Sequence, residues 1–257
     1  MKVYIMTDLE GAWGVDAKSM VSENDPDHGL AVKNLVCDIN TAIDGAFLGG
    51  ATEVWVRDGH GGGRNFTAAD LDPRAKFDTT PNWRDGVIDE SFSAIFTVGA
   101  HAMSGTQNAF YDHTQSSETW HDFVVNGRKW GELAQYASVA GHYRIPMVFV
   151  TGDEAACAEA RTFFAGVCAV PVKNGLCHTK AQSYPRKETL ERIRLGAKKA
   201  MELVKTVKPF RPLLPMEVTL ELNRTEFCDW YENAEGIERL DGRTIRKITN
   251  DRRDVYI

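Results

Sequence analysis

The sequence predicts an α/β protein: a largely parallel sheet flanked by helices, with a smaller β-containing C-terminal portion. Three observations predict it. Short apolar runs near residues 2–7, 53–58, 93–99 and 146–151 alternate with longer stretches whose apolar residues recur at helical spacing. The first three runs each stop at polar, chemically capable residues. Pro209, Pro212 and Pro215 form a stiff segment. It divides the chain into a larger α/β domain, 1–208, and a smaller β-containing portion, 209–257, packed on it.

Taken in order, Lys2-Val3-Tyr4-Ile5-Met6-Thr7 reads as a buried strand running into Asp8-Leu9-Glu10-Gly11. Residues 12–28 are mixed and polar, and a long loop straight after a strand is more often functional than accidental. Leu30, Leu35, Val36, Ile39, Ile43, Ala46 and Phe47 then share a helical face, closed by Gly49-Gly50. The run 53–58 is a second strand ending in Gly59-His60-Gly61-Gly62-Gly63, so the strand–helix–strand unit implies a parallel pair. The next buried strand, 93–99, leads into Ala100-His101, and residues 102–121 read as a polar loop carrying His113 and His121. Asn126-Gly127 between apolar flanks marks a hairpin.

Glu132 starts a helix reaching about Tyr143, and 146–151 is a further core strand. Asp153 is placed to cap the helix 154–164. A short strand is expected over 167–173. Pro185 opens a long helix to about Val207, its apolar stripe being Leu190, Ile193, Leu195, Ala197, Met201 and Val204. Residues 216–222 alternate like a half-exposed strand, and the remainder is charged and turn-rich.

Composition narrows the function. A chain of 257 residues with 43% hydrophobic and 26% charged residues is an ordinary globular protein with room for a large core. A net charge of −6 argues against a nucleic-acid binder. No uninterrupted apolar stretch is long enough to span a membrane, and the opening strand leaves no room for a signal peptide. The five scattered cysteines, without a C-x-x-C, suit a reducing cytoplasmic location.

The informative pattern is positional. Asp8 and Glu10, Asp58 and His60, and His101 each follow the last apolar residue of a strand, where open α/β sheets gather their ligands. Glu132 stands at a helix start. Singly, each has a plain structural explanation: a loop acid, a turn histidine, a core histidine, an acid favoured by the helix dipole. Together, carboxylates and imidazoles without thiolates suit zinc, manganese or a similar cation. Five such groups exceed what one tetrahedral ion needs and point to two metals about 3.5–4 Å apart with a bridging carboxylate. His60-Gly61-Gly62-Gly63 matches the oxyanion string of lipases, but the chain lacks a G-x-S-x-G elbow. It also lacks the glycine fingerprints of phosphate loops.

Thr7-Asp8-Leu9-Glu10-Gly11, Asp58-Gly59-His60, Gly99-Ala100-His101-Ala102 and Gly131-Glu132-Leu133 resemble, in order and spacing, the signature blocks of the zinc-dependent D-aminopeptidase family. The resemblance runs to about Asp153 and more loosely through the 185–207 and 216–222 segments. It implies a two-zinc aminopeptidase acting on short peptides, D-amino-acid peptides in particular. It implies further that Asp8 bridges the metals and that Glu10, His60, His101 and Glu132 complete them. The family's catalytic histidine matches His113, in a loop about one residue longer than the family pattern, with His121 as competitor. No strand pattern buries His113, so a mobile imidazole is expected. A ring-like homo-oligomer is implied as well, with Phe227, Trp230 and Tyr231 offering a contact surface. Two other classes share the residues: a different di-metal amidase or phosphoesterase, and a non-catalytic peptide-binding accessory protein.

Overall fold

The computed structural model of the chain describes residues 1–257, except for the side chain of Asp85. Its strands are β1 (Lys2–Thr7), β2 (Glu53–Asp58), β3 (Ala75–Phe77), β4 (Ala94–Ala100), β5 (Trp120–Val125), β6 (Arg128–Lys129), β7 (Met147–Asp153), β8 (Cys168–Cys177), β9 (Lys180–Ser183), β10 (Met216–Leu222), β11 (Ile237–Arg239) and β12 (Thr244–Thr249). The longer helices are α1 (His28–Leu48), α2 (Glu132–His142), α3 (Glu154–Phe163) and α4 (Arg186–Leu203). One sheet has the order β3-β2-β1-β4-β7-β8-β9, and a second has the order β11-β12-β10-β5-β6. The first is parallel except where β9 turns back on β8; the second is antiparallel throughout.

The unbroken apolar run of β1 reflects burial on both faces. Its side chains alternate. Val3 and Ile5 enter a core shared with Leu35, Ile39 and Ile43 of α1 and Ile193 and Ala197 of α4. Tyr4 and Met6 point the other way, into a core shared with Leu133 and Val139 of α2, Ala156 of α3 and the second sheet's Phe123, Leu220 and Ile245. Each large apolar side chain buried in this way contributes about 1.5–3 kcal/mol before chain entropy is counted. The second sheet therefore covers part of the first rather than standing apart. It draws on both sides of the proline segment, since Leu220 of β10 lies opposite Phe123 of β5 and Ile245 of β12.

The structure departs from the sequence reading in several places. The loop after β4 ends at Ser116–Thr119, and His121 belongs to β5. Strand β8 runs on to Cys177 because β9 pairs with its far end, a partner that no local pattern announces. Leu30 and Leu195, assigned to buried stripes, are 55% and 54% exposed. Where α1 and α4 meet, the contact is made by small residues instead. A methyl group on Gly45 would stand 2.4 Å from the Arg194 carbonyl oxygen. Leucines at that crossing would hold the helices apart.

Candidate metal centre

Register brings the ends of three strands to one level. Thr7, the last residue of β1, pairs with Asp58 of β2 on one side and Val98 of β4 on the other. The segment 8–11 then folds across the end of β4: Asp8 N–H donates to the Val98 carbonyl at 2.9 Å and Gly11 N–H to that of Gly99 at 2.8 Å. Two glycines permit this. A Cβ on Gly11 would lie 1.8 Å from the Ala100 oxygen, and one on Gly99 would lie 2.0 Å from the Asp8 oxygen. Gly99 also has φ +84°, which favours glycine. The β4–β7 register slips between Thr97 and Ala100, an irregularity of the kind that re-aims a following side chain, here His101.

Asp8, Glu10, His60, His101, His113 and Glu132 all line one cleft of 480 Å³. His60 Nδ1 lies 3.0 Å from Glu10 Oε2 and 3.3 Å from Asp8 Oδ1. His101 Nε2 lies 3.3 Å from Asp8 Oδ2 and 3.4 Å from Glu132 Oε1. Asp8 thus stands between the two imidazoles, one oxygen toward each. The ligand atoms of Asp8, Glu10 and His101 lie within 4.8 Å of one another, as do those of His101, His113 and Glu132.

Each histidine is oriented from behind. His60 Nε2 donates to the Val21 carbonyl at 3.0 Å, His101 Nδ1 to that of Ala102 at 3.0 Å, and His113 Nδ1 to that of Tyr111 at 2.7 Å. The opposite nitrogen of each is left facing the cluster, the arrangement that metal-ligating histidines show. Glu132 is held in the same way, Oε1 accepting Gln115 N–H and Oε2 the Tyr136 hydroxyl, both at 2.8 Å.

Three buried carboxylates this close demand positive charge. Burial, with the charge of Glu10 added, pushes Asp8 up to about 8. Burial opposes charge on Glu10 as well, yet His60 outweighs it and holds that carboxyl low. Glu132 is brought down to about 2, burial being outweighed by His101. His60 and His101 are raised by the surrounding carboxylates despite burial. His113 moves the other way: burial and the charge of His101 hold it below the ordinary imidazole value. A donor set of carboxylates and neutral-side imidazoles, short of positive charge, fits zinc or another borderline divalent cation.

Sequence reasoning placed His113 in an open loop; the structure packs its ring against His101. His121 is exposed on β5 and does not line the cleft. Asp58 follows the strand-end pattern, but its carboxylate is occupied in holding the turn, accepting Asn65 N–H at 2.7 Å. Tyr136 and the Val21 carbonyl were missed. Tyr136 lies one helical turn after Glu132, a spacing that gives a signal. Val21 contributes only backbone, which gives none.

The D-aminopeptidase family matches residues 1–257. A D-aminopeptidase of Bacillus subtilis (strain 168) is 26% identical over 247 residues, covering 95% of this chain and 89% of that relative. The solved structure of the Zn-dependent D-aminopeptidase DppA from Bacillus subtilis, described as a self-compartmentalizing protease, superposes with a TM-score of 0.93 at 25% identity, covering 100% of this chain and 94% of the other. The family match along the whole sequence, on a fold that carries these strand-end residues to one cleft, makes this chain a member of the D-aminopeptidase family.

Proposed function

We propose that the cleft is the active site of a metal-dependent aminopeptidase that holds two zinc ions and removes the N-terminal residue of short peptides, D-amino-acid peptides above all. The observation that carries the reading is the position of Asp8, with one carboxylate oxygen toward His60 and the other toward His101. In this reading Asp8 would be shared between the ions, and Glu10, His60, His101 and Glu132 would complete their ligands. Zinc bound there supplies a Lewis acid and a nucleophilic water at neutral pH.

The chain's own groups do the rest. The Val21 and Ala102 carbonyls keep His60 and His101 in the tautomers that face the cluster. Gln115 N–H and the Tyr136 hydroxyl hold Glu132 in place. His113, kept neutral by its setting, presents Nε2 to the cleft 3.9 Å from Glu132 Oε1, free to take a proton from the attacking water and pass it to the leaving amine. Water is added across the peptide bond, its oxygen going to the acyl carbon and its proton to the amine.

The solved relative's self-compartmentalizing character supports a ring-like homo-oligomer here too. Trp230, 67% exposed and packed on Phe227, is a fitting contact residue. All five cysteines are free, which agrees with a cytoplasmic location. Among the described residues, no helix is long and apolar enough to cross a membrane.

The test is metal content by elemental analysis, with turnover of D- and L-alanyl peptides before and after chelation and zinc re-addition. About two ions per chain, with activity lost and restored alongside them, is expected. Fewer than one ion, none regained and no turnover would overturn the reading. Light scattering that shows a stable monomer would overturn the ring.

A further inference from the structure

The cleft is strongly acidic. Glu23 and Glu118 line it in addition to the three carboxylates of the cluster. Among the lining residues, Arg64 alone carries a permanent positive charge. It stands on the glycine-rich turn that follows β2, and that turn makes room for it: a methyl group on Gly62 would lie 3.1 Å from Arg64 Nη2 and 3.3 Å from Nη1. The backbone beside it is anchored. Asn65 N–H donates to Asp58 Oδ2 at 2.7 Å, and the Asn65 side chain donates to the His60 carbonyl at 2.9 Å. Arg64 is therefore carried by the same braced turn that presents His60.

The guanidinium itself is uncommitted. Arg57, near the same end of β2, is engaged: it donates to the Thr80 carbonyl. Arg64 is exposed and makes no hydrogen bond or ion pair among the described residues, although Glu23 lines the same cleft. Five planar donors left open at the wall of an otherwise acidic cleft suit an incoming carboxylate, which they can grip by two parallel bonds.

A short peptide brings such a group. One residue of extended chain spans about 3.3–3.6 Å, so the carboxylate of a di- or tripeptide lies within roughly one or two residue lengths of the bond cleaved. We propose that Arg64 binds the C-terminal carboxylate of the peptide substrate and so makes the site select free-acid peptides of two or three residues. This rests on the aminopeptidase reading above and adds to it a residue that sets substrate length.

The experiment compares D-alanyl-D-alanine with its C-terminal amide, using the zinc-loaded native protein, Arg64→Ala and Arg64→Lys, with metal content and circular dichroism recorded for each. The native protein should favour the free acid over the amide by about 10- to 100-fold in kcat/KM, the range of a charge-assisted hydrogen-bonded contact. Arg64→Ala should lose that preference through a raised KM on the acid, with the amide changed no more than about threefold and the metals retained. Arg64→Lys should recover part of it, keeping the charge but not the fork. An equal loss on both substrates, or none on either, would overturn the role of Arg64 and leave the aminopeptidase reading standing. A native protein that cleaves neither peptide would overturn both.

Discussion

The imidazole of His113 lies flat on that of His101, ring centroids 4.0 Å apart and planes 11° from parallel. The two rings differ in what they face. His101 Nε2 approaches Asp8 and Glu132 at 3.3 and 3.4 Å, whereas His113 Nε2 comes no nearer than 3.9 Å to Glu132. His113 Nε2 thus stands farther from the carboxylates than His101 Nε2 does. His113→Ala should keep both metals and the fold while kcat falls by about 10²–10⁴, with KM little moved. Steady-state kinetics with elemental analysis checks this. Loss of zinc in the variant would make His113 a ligand, and a silent variant would remove His113 from the mechanism.

Asp8 contacts both imidazoles of the cluster, and Glu10 contacts only His60. Asp8→Ala should therefore lose more metal and more activity than Glu10→Ala, because a shared carboxylate also offsets the repulsion between two cations. Metal stoichiometry after dialysis ranks the two. Near-normal zinc and turnover in Asp8→Ala would remove the bridge from the mechanism.

Tyr136→Phe deletes a single oxygen, the hydroxyl that donates to Glu132 Oε2 at 2.8 Å. Hydrogen bonds behind a metal ligand typically account for 10- to 100-fold in affinity or activity. Zinc affinity measured by chelator competition should drop in about that range, with the thermal midpoint nearly unchanged. An unaltered affinity would mean that Gln115 N–H alone suffices to hold Glu132.

Glu159 on α3 accepts Met103 N–H at 2.8 Å through Oε2, while its buried Oε1 has no hydrogen-bond partner. Burial pushes the carboxyl up to about 7, against an ordinary 4.5. Between those values the folded chain keeps a proton that the unfolded chain has released. Stability therefore falls as pH rises through this window, by about 3 kcal/mol in all, and levels off above it. Glu159→Gln should flatten that slope, gaining on the native protein steadily from pH 5 to pH 8. Urea unfolding across that range in the presence of chelator checks it; parallel curves would show that Glu159 ionises normally.

The strands of the first sheet and their polar ends were legible because β1, β2, β4 and β7 are apolar runs bounded by glycine and acids, a local pattern. The second sheet was legible as a β-containing C-terminal portion with a strand over 216–222, but not in its pairing. Asn126-Gly127 announced the hairpin, but nothing local told that Phe123 would face Leu220 across almost a hundred residues of sequence. The same limit hid β9, whose pairing lengthens β8, and the exposure of Leu30 and Leu195, whose helical spacing alone suggested burial.

What the sequence determined by itself was the inventory of the site: Asp8 and Glu10 after one strand, His60 after another, His101 after a third, and Glu132 at a helix start. Chain order, glycine placement and strand-end position nominate these residues, being properties of neighbouring residues, but they nominate Asp58 as well, whose carboxylate instead holds the turn. Tertiary structure alone decided which groups act together. Register set Thr7 level with Asp58 and Val98, close approach at Gly11 and Gly99 drew Asp8 between two imidazoles, and the carbonyls of Val21, Ala102 and Tyr111 chose which nitrogen each histidine presents. Those are contacts between distant segments, and their geometry is set by packing, which no local pattern encodes.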